Sequence, residues 1–308
     1  MPQSAGSFVT APALISGDEL KAAAARFTEW QHENIPTAQR GAFSVFDKWF
    51  TRVTARFAQL DPGKAWEESV RETAQGAPGL AWDLQRLRQF LDRWARGRFV
   101  AFAERNAARI NYDARFGTEF GADVLLACQG APNLMRWRGL PLFKTAFDFA
   151  IYPQLLQELR PRTIFEIGSG SGASALWLAD LAQTFDLDAV VHSVDIRPPA
   201  AEHPRVQFYR GDCREPATLF PAEVVAQAPR PWLAIEDAHQ NVPGVLAWLH
   251  ERLAVGDYLV VEDSDVKRDA LAAFDAAHSR QYKVDTRYTD FFGRNATCAN
   301  DSIFVRQG

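Results

Sequence analysis

Residues Thr163–Trp177, "TIFEIGSGSGASALW", form an apolar run that breaks into three glycines, Gly168, Gly170 and Gly172, and then resumes as a helix-like stretch. Glycines at a strand end let the backbone approach a nucleotide-like ligand closely. Gly168, Gly170 and Ala173 also satisfy the loose dinucleotide pattern G-x-G-x-x-[G/A]. The turn by itself therefore leaves two cofactor classes open.

Outward from this turn, short β-rich runs alternate with helix-length segments from Pro161 to the C-terminus: "RTIFEIG", "AVVHSVDI", "VQFYRGD", "PWLAIED", "DYLVVED", "QYKVDTRYT" and "DSIFVR". Near-continuous apolar strands separated by helices are what a parallel sheet covered on both faces requires. The expected fold is α/β, a doubly wound, Rossmann-like sheet. In such sheets ligands bind outside the carboxyl ends of the strands, so the residues that close each strand are informative.

Those residues are repeatedly acidic. Glu166 precedes the glycine turn, and the next two strands end at Asp195 and Asp212. A carboxylate at Asp195 can accept hydrogen bonds from ribose hydroxyls in a dinucleotide site or an S-adenosylmethionine site alike. Asp212 and Glu166 favour S-adenosylmethionine, although carboxylates also cap the helices that follow strands. The expected cofactor wall is Glu166, Gly168, Ser169, Gly170 and Ser174, together with Asp195, Ile196, Asp212 and Cys213.

The fourth and fifth strand ends, "AIEDAHQN" and "VVEDSD", bring four more carboxylates, Glu236, Asp237, Glu262 and Asp263, with His239 close behind. Carboxylates clustered in a dry crevice repel one another unless a cation or protons neutralise them. Oxygen ligands of this kind suit a hard ion such as Mg²⁺. His239 is the expected general base, because imidazole titrates near neutrality, with Asp265 as a second possibility. The bland reading of His239 is a histidine satisfied by ordinary hydrogen bonds. Glu236 and Asp237 are adjacent, so their side chains point to opposite sides and only one faces the ion.

The first 135 residues differ in texture and are expected to form a mostly helical domain, 1–135, ahead of a catalytic domain, 136–308. "GDELKAAAARFTEWQ" has an acidic first turn, and "SVFDKWFTRVTARFAQL" repeats apolar residues at three- and four-residue spacing. Leu80, Leu84, Leu87, Leu91 and Trp94 share one helical stripe. The aromatic richness predicts core or subunit interface, and a homo-oligomer is expected.

Composition narrows the partners. The 308 residues are 47% hydrophobic and 23% charged with a formal net charge of −4, which is globular and gives no basic footprint for nucleic acid. Cys128, Cys213 and Cys298 are far apart, so neither a disulfide framework nor a zinc site is indicated. The opening "MPQSAGSFVTAPALISGDEL" lacks the pattern of a signal peptide, and no apolar run is long enough to span a bilayer. A soluble cytoplasmic protein with no membrane partner is expected.

The stretch from about Arg136 to Arg306 resembles the cephalosporin-hydroxylase-like family of S-adenosylmethionine-dependent methyltransferases, which includes the Mg²⁺-dependent macrolide-sugar O-methyltransferases. The resemblance rests on "WRGLPLFKTAFD", "FEIGSGSGASALW", "VDI", "GD", "DAHQNV", "GDYLVVED" and "YTDFFGRNAT", in that order. It implies a class I methyltransferase sheet, cofactor contacts at Glu166, Gly168, Gly170 and Asp195, and three carboxylates on a divalent metal beside a catalytic histidine. The family spacing D-x-x-H maps onto Glu236 and His239, with Asp237 the rival ligand, and the family's paired acids map onto Glu262 and Asp263.

The expected reaction is methyl transfer from S-adenosylmethionine to a hydroxyl of a small-molecule acceptor, a secondary metabolite of natural-product biosynthesis or its sugar, with metal assistance. The rival readings are a C- or N-methyltransferase, a non-catalytic partner protein keeping the fold, and an NAD(P)-dependent oxidoreductase using the same glycine turn.

Overall fold

The computed structural model describes residues 17–35, 44–61, 63–107, 118, 120, 122–128, 135–278 and 280–308. The chain divides into two compact units, Pro12–Arg98 and Phe99–Gly308. The division falls between Arg98 and Phe99 and not near residue 135, because Phe99–Val100 already pairs as a strand with Val284 and Asp285 of the sheet. Among the described residues no helix is long and apolar enough to cross a membrane.

The first unit holds helices α1 (Gly17–Asn34), α2 (Ser44–Phe57), α3 (Trp66–Thr73) and α4 (Pro78–Arg96). Helix α4 opens with proline in its first turn and ends at Gly97, whose positive φ of +80° suits glycine. Its stripe works as the periodicity requires: Leu84, Leu87 and Leu91 are fully buried against Leu20, Ala23 and Phe27 of α1 and Phe50, Val53 and Phe57 of α2. The Phe27 ring meets Phe50, Phe90 and Trp94 with centroids 4.8–5.0 Å away, all edge-on. These aromatics are core residues of this unit.

The second unit is built on an eight-stranded sheet. Its strands, with a separate hairpin of β2 (Arg136–Trp137) and β3 (Leu140–Pro141), are β1 (Phe99–Val100), β4 (Thr163–Ile167), β5 (Val190–Asp195), β6 (Val206–Arg210), β7 (Trp232–Glu236), β8 (Tyr258–Val261), β9 (Tyr282–Asp285) and β10 (Ile303–Arg306). The spatial order is β1-β9-β10-β8-β7-β4-β5-β6. Strands β8, β7, β4, β5 and β6 run parallel, and β10, β9 and β1 complete one edge antiparallel. Each of the seven β-rich runs read from the sequence contains a strand, but the last four residues of "QYKVDTRYT", Thr286–Thr289, form a helix after β9. The helices are α5 (Phe102–Ala107), α6 (Ala122–Cys128), α7 (Asp148–Leu159), α8 (Ala173–Thr184), α9 (Ala222–Gln227), α10 (Val242–His250), α11 (Arg268–His278) and α12 (Thr286–Thr289).

The parallel strands are apolar on both sides because both faces are covered. Ile164, Val191, Leu233, Ile235 and Val260 pack with α7 and α8, whereas Phe165, Ile167, Val194, Ala234, Leu259 and Val261 pack with α10 and α11. This alternation decides where each strand-end acid points. Chain direction reverses its progress across the sheet between β4 and β7, which creates a switch point at their carboxyl ends.

Candidate active site

A cavity of about 420 Å³ opens at that switch point. One wall is the glycine turn, Gly168, Ser169, Gly170, Ser171 and Ser174; a second is Asp195, Ile196, Asp212 and Cys213; the third is Asp237, Ala238, His239, Gln240 and Asp263. Pro141, Leu142, Phe143 and Lys144 close it from the segment after β3. Eleven of the residues anticipated from the sequence thus share one cavity.

The turn is shaped by close approach. Gly168 has φ +106°, and a Cβ there would lie 2.7 Å from the backbone carbonyl carbon and oxygen of Asp237. Gly170, at φ +50°, has nothing within 4 Å of the equivalent position, so its backbone fronts open space. Asp195 braces the turn: its Oδ2 accepts from the Gly170 amide at 3.1 Å and its Oδ1 from the Arg197 amide at 2.9 Å. Asn241 Nδ2 donates to the Cys213 carbonyl at 2.8 Å, tying the loop after β7 to the loop after β6.

Across the cavity, His239 lies between two carboxylates. Its Nε2 is 3.5 Å from Asp237 Oδ1 and 3.3 Å from Asp263 Oδ2. Hydrogen bonds to Asp237 and Asp263 push the imidazole up to about 9. Burial pushes the Asp237 carboxyl up, but the His239 hydrogen bond and the Lys144 charge outweigh it and hold it below its ordinary value. His239 and Asp263 both sit in the left-handed backbone region, with φ +60° and +46°. Non-glycine residues tolerate such strain where surrounding structure imposes it, commonly at functional sites.

Four anticipated residues stand behind the cavity wall. Glu166 is buried, with Ser193 Oγ donating to its Oε2 at 2.5 Å and Ser169 Oγ 2.6 Å from Ser193 Oγ. Burial raises the Glu166 carboxyl to about 7 against the hydrogen bonds from Ser174 and Ser193. Glu236 has no exposed surface, accepting from Lys267 Nζ at 2.8 Å and from the Ala238 amide at 3.1 Å. Glu262 accepts from Lys144 Nζ and from the Tyr152 hydroxyl, both of them buried. Asp265 lies outside the cavity wall, its Oδ2 accepting from Asn300 Nδ2 at 2.8 Å.

The reason is the two-residue period of the strands. Glu236 continues the register of Ala234 toward the α10 and α11 face, where Lys267 precedes α11; Glu262 continues that of Val260 toward the α7 and α8 face, where Tyr152 projects from α7. Each glutamate points beside the sheet, and the aspartate that follows reaches its end. Asp237, Asp263 and His239 therefore form the cluster in which one ligand atom from each lies within 4.8 Å of the others.

Sequence reasoning did not single out Lys144 and Lys267. Lys144 directly follows Leu142 and Phe143 in "WRGLPLFKTAFD", and a lysine in so apolar a run signals a buried partner.

The family model described as Rhamnosyl O-methyltransferase/CmcI matches residues 130–289, half of the chain and the whole cavity wall. The chain belongs to the Rhamnosyl O-methyltransferase/CmcI family. It is an S-adenosylmethionine-dependent methyltransferase, as its ordered motifs implied. It is 30% identical over 198 residues to the rhamnosyl O-methyltransferase of Mycobacterium leprae, covering 57% of this chain and 84% of that protein. The rhamnosyl O-methyltransferase of Mycobacterium bovis (strain BCG / Pasteur 1173P2) is 28% identical over 191 residues, 55% of this chain and 77% of its own. An apo-structure of CmcI superposes with a TM-score of 0.50 at 26% identity, covering 62% of this chain and 85% of that one. The class I methyltransferase fold is thereby shared with the family. Within it, this chain offers Asp237 to the cavity where the D-x-x-H spacing pointed to Glu236.

Proposed function

We propose that the chain transfers a methyl group from S-adenosylmethionine to a hydroxyl oxygen of a small acceptor, with a sugar hydroxyl as the acceptor class. The observation that carries this reading is the meeting, across one cavity, of a glycine turn with Asp237, His239 and Asp263. The acceptor class rests on the two mycobacterial relatives, both named rhamnosyl O-methyltransferases.

The turn fits the cofactor because Gly170 leaves its cavity side open and because helix α8 begins just beyond it at Ala173, a helix N-terminus favouring negative charge. Asp195 and Asp212 border the same space and suit hydroxyl donors such as those of ribose. S-Adenosylmethionine supplies an already activated methyl group. The residues around it have to align the acceptor oxygen with that methyl and exclude water.

The donor set of Asp237 and Asp263 also fits a hard divalent ion such as Mg²⁺, which binds through one or two carboxylates and keeps positions for other oxygens. Such an ion, when bound, lowers the pKa of a hydroxyl beside it. His239 is the residue that takes the acceptor proton, at Nε2. Asp237 and Asp263 push its imidazole up to about 9, and a cation held by the same two carboxylates would offset that rise. Asp265, outside the cavity wall, is not needed for this step.

The test pairs calorimetric titration of S-adenosylhomocysteine with turnover on a panel of deoxysugar acceptors. His239→Ala should bind the cofactor product within about two-fold of the parent and lose roughly 10²–10⁴-fold in turnover, the usual span for a general base. Full turnover by that variant refutes the role of His239; NAD binding without S-adenosylhomocysteine binding refutes the cofactor.

A further inference from the structure

We infer that Phe143 binds the acceptor: its ring is a platform on which the apolar, C–H-bearing face of a sugar lies while the reacting hydroxyl turns toward His239. This inference rests on the sugar reading above.

The segment from Pro141 to Lys144 runs along the cavity from the cofactor turn to the acids. At one end Ser171 Oγ, beside the glycine turn, donates to the Pro141 carbonyl at 2.6 Å. At the other, Lys144 Nζ lies 3.7 Å from Asp237 Oδ2. Phe143 stands between these two anchors and lines the same cavity. An acceptor hydroxyl has to sit in that interval, within reach of the methyl donor on one side and of His239 on the other.

The backbone that carries the ring is fixed, whereas the ring itself is open. Leu142 is buried in the core, and its amide donates to the Met135 carbonyl at 2.8 Å. Lys144 is buried, and Thr145 donates its amide and its hydroxyl to Asp148 Oδ2 at 2.9 and 2.7 Å. The aromatics that follow pack on one another: Phe147 meets Phe120 and Phe292 with centroids 5.3 and 5.2 Å away, and Phe149 meets Trp177 at 5.0 Å. Phe143 is instead 67% exposed. Ile196, the other exposed apolar side chain of the cavity wall, directly follows Asp195 and so belongs to the ribose side.

Binding sites for small molecules combine aromatic surface with a few placed polar groups. A pyranose offers the matching pair, C–H groups on its face and hydroxyls around its edge. Phe143 supplies the flat apolar surface, and Asp237, His239 and Asp263 supply the polar edge. A ring held on a fixed backbone loses little freedom when the sugar arrives, which favours binding.

The experiment is steady-state kinetics on the full chain with the deoxysugar that the parent methylates best, alongside calorimetric titration of S-adenosylhomocysteine. Phe143→Ala, Phe143→Leu and Phe143→Tyr are compared, each checked by a thermal melt. Phe143→Ala should raise KM about ten-fold or more with kcat and S-adenosylhomocysteine affinity within about three-fold of the parent, because a contact made equally in ground and transition states acts on KM alone. Phe143→Tyr keeps the ring face and should restore KM to within about three-fold, whereas Phe143→Leu, apolar without a flat face, should not. An unchanged KM in Phe143→Ala, or full restoration by Phe143→Leu, overturns the platform. So does a ten-fold loss of S-adenosylhomocysteine affinity, which would assign the ring to the cofactor. Since the ring is exposed, no variant should shift the melt by more than about 2 °C, and a larger drop makes the ring structural and overturns the inference as well. If the parent methylates no sugar at all, the sugar reading itself falls, a result read from the parent before any variant is made.

Discussion

The contact between the glycine turn and the end of β7 makes a sharp demand on Gly168. An alanine there places its Cβ 2.7 Å from the carbonyl carbon and oxygen of Asp237 and 3.0 Å from the Ala238 amide nitrogen, all backbone atoms that no rotamer change can move. Its φ of +106° adds the cost of a side chain in a region that L-residues avoid. Left-handed backbone costs roughly 1–2 kcal/mol for a residue with a Cβ, and overpacking against a rigid neighbour roughly 1–3 kcal/mol. Gly168→Ala should therefore lose about 2–5 kcal/mol. Gly170→Ala is the internal control, with φ +50° and nothing within 4 Å, and should lose only about 1–2 kcal/mol. The two differ by the overpacking cost of about 1–3 kcal/mol, so at roughly 2–4 °C per kcal/mol for a unit of this size, differential scanning calorimetry should place the Gly168→Ala transition about 2–12 °C below that of Gly170→Ala. Turnover should fall further as well, because the clash displaces Asp237. Transitions of the two variants within about 1 °C of each other would refute the reasoning.

Two further perturbations probe buried charge. Burial raises Glu166 to about 7 from an ordinary 4.5, so its folded-state pKa lies above its unfolded one. Its contribution to stability is fully present below the unfolded value and is lost as pH rises through the folded one, worth about 3 kcal/mol in total. Urea unfolding of the parent and Glu166→Gln should thus diverge by that amount between about pH 4 and pH 8 in favour of the variant, and parallel curves would count against the burial argument. In the last-strand region Arg105 bridges Asp290 at 2.6 Å and Asp301 at 2.7 Å, with all three buried. Arg105→Met takes the guanidinium from Asp290, while Asp301 keeps Arg268 at 2.6 Å, and should cost about 3–5 kcal/mol in the same assay, with a loss under about 1 kcal/mol refuting the network's role.

Much of this molecule could be read from local pattern. The strands were legible because a doubly covered sheet imposes apolar runs of four to six residues, and the turn because its glycines accompany a strand-to-helix change. The α4 stripe of Leu84, Leu87 and Leu91 was legible because 3.6-residue periodicity is a local property. What escaped was pairing between distant residues. Lys144 and Glu262, or Lys267 and Glu236, meet only because the sheet order brings their segments together. The strand Phe99–Val100 escaped for the same reason: two residues carry no periodicity, and only their ladder with β9 shows that they belong to the sheet.

The acids at the strand ends show how far a motif can carry and where geometry takes over. The spacing D-x-x-H selected Glu236, yet a strand ending at Glu236 turns that side chain toward α11, and only Asp237, bonded through its amide to Ile167 at 2.8 Å, stands at the rim. The same parity acts one strand over, where Glu262 is bonded through its amide to Glu236 at 2.9 Å and Asp263 lies beyond it. Two neighbouring strands in register thus present the same pattern, a glutamate paired with a lysine and, at the strand's end, an aspartate beside His239. Since the two glutamates fall on opposite faces, each needs a lysine from a different helical layer. Lys144, before α7, and Lys267, before α11, meet that requirement, and of the two only Lys144 also touches the cavity. That asymmetry makes Lys144 the one of the two lysines whose charge acts on the cavity, 3.7 Å from Asp237.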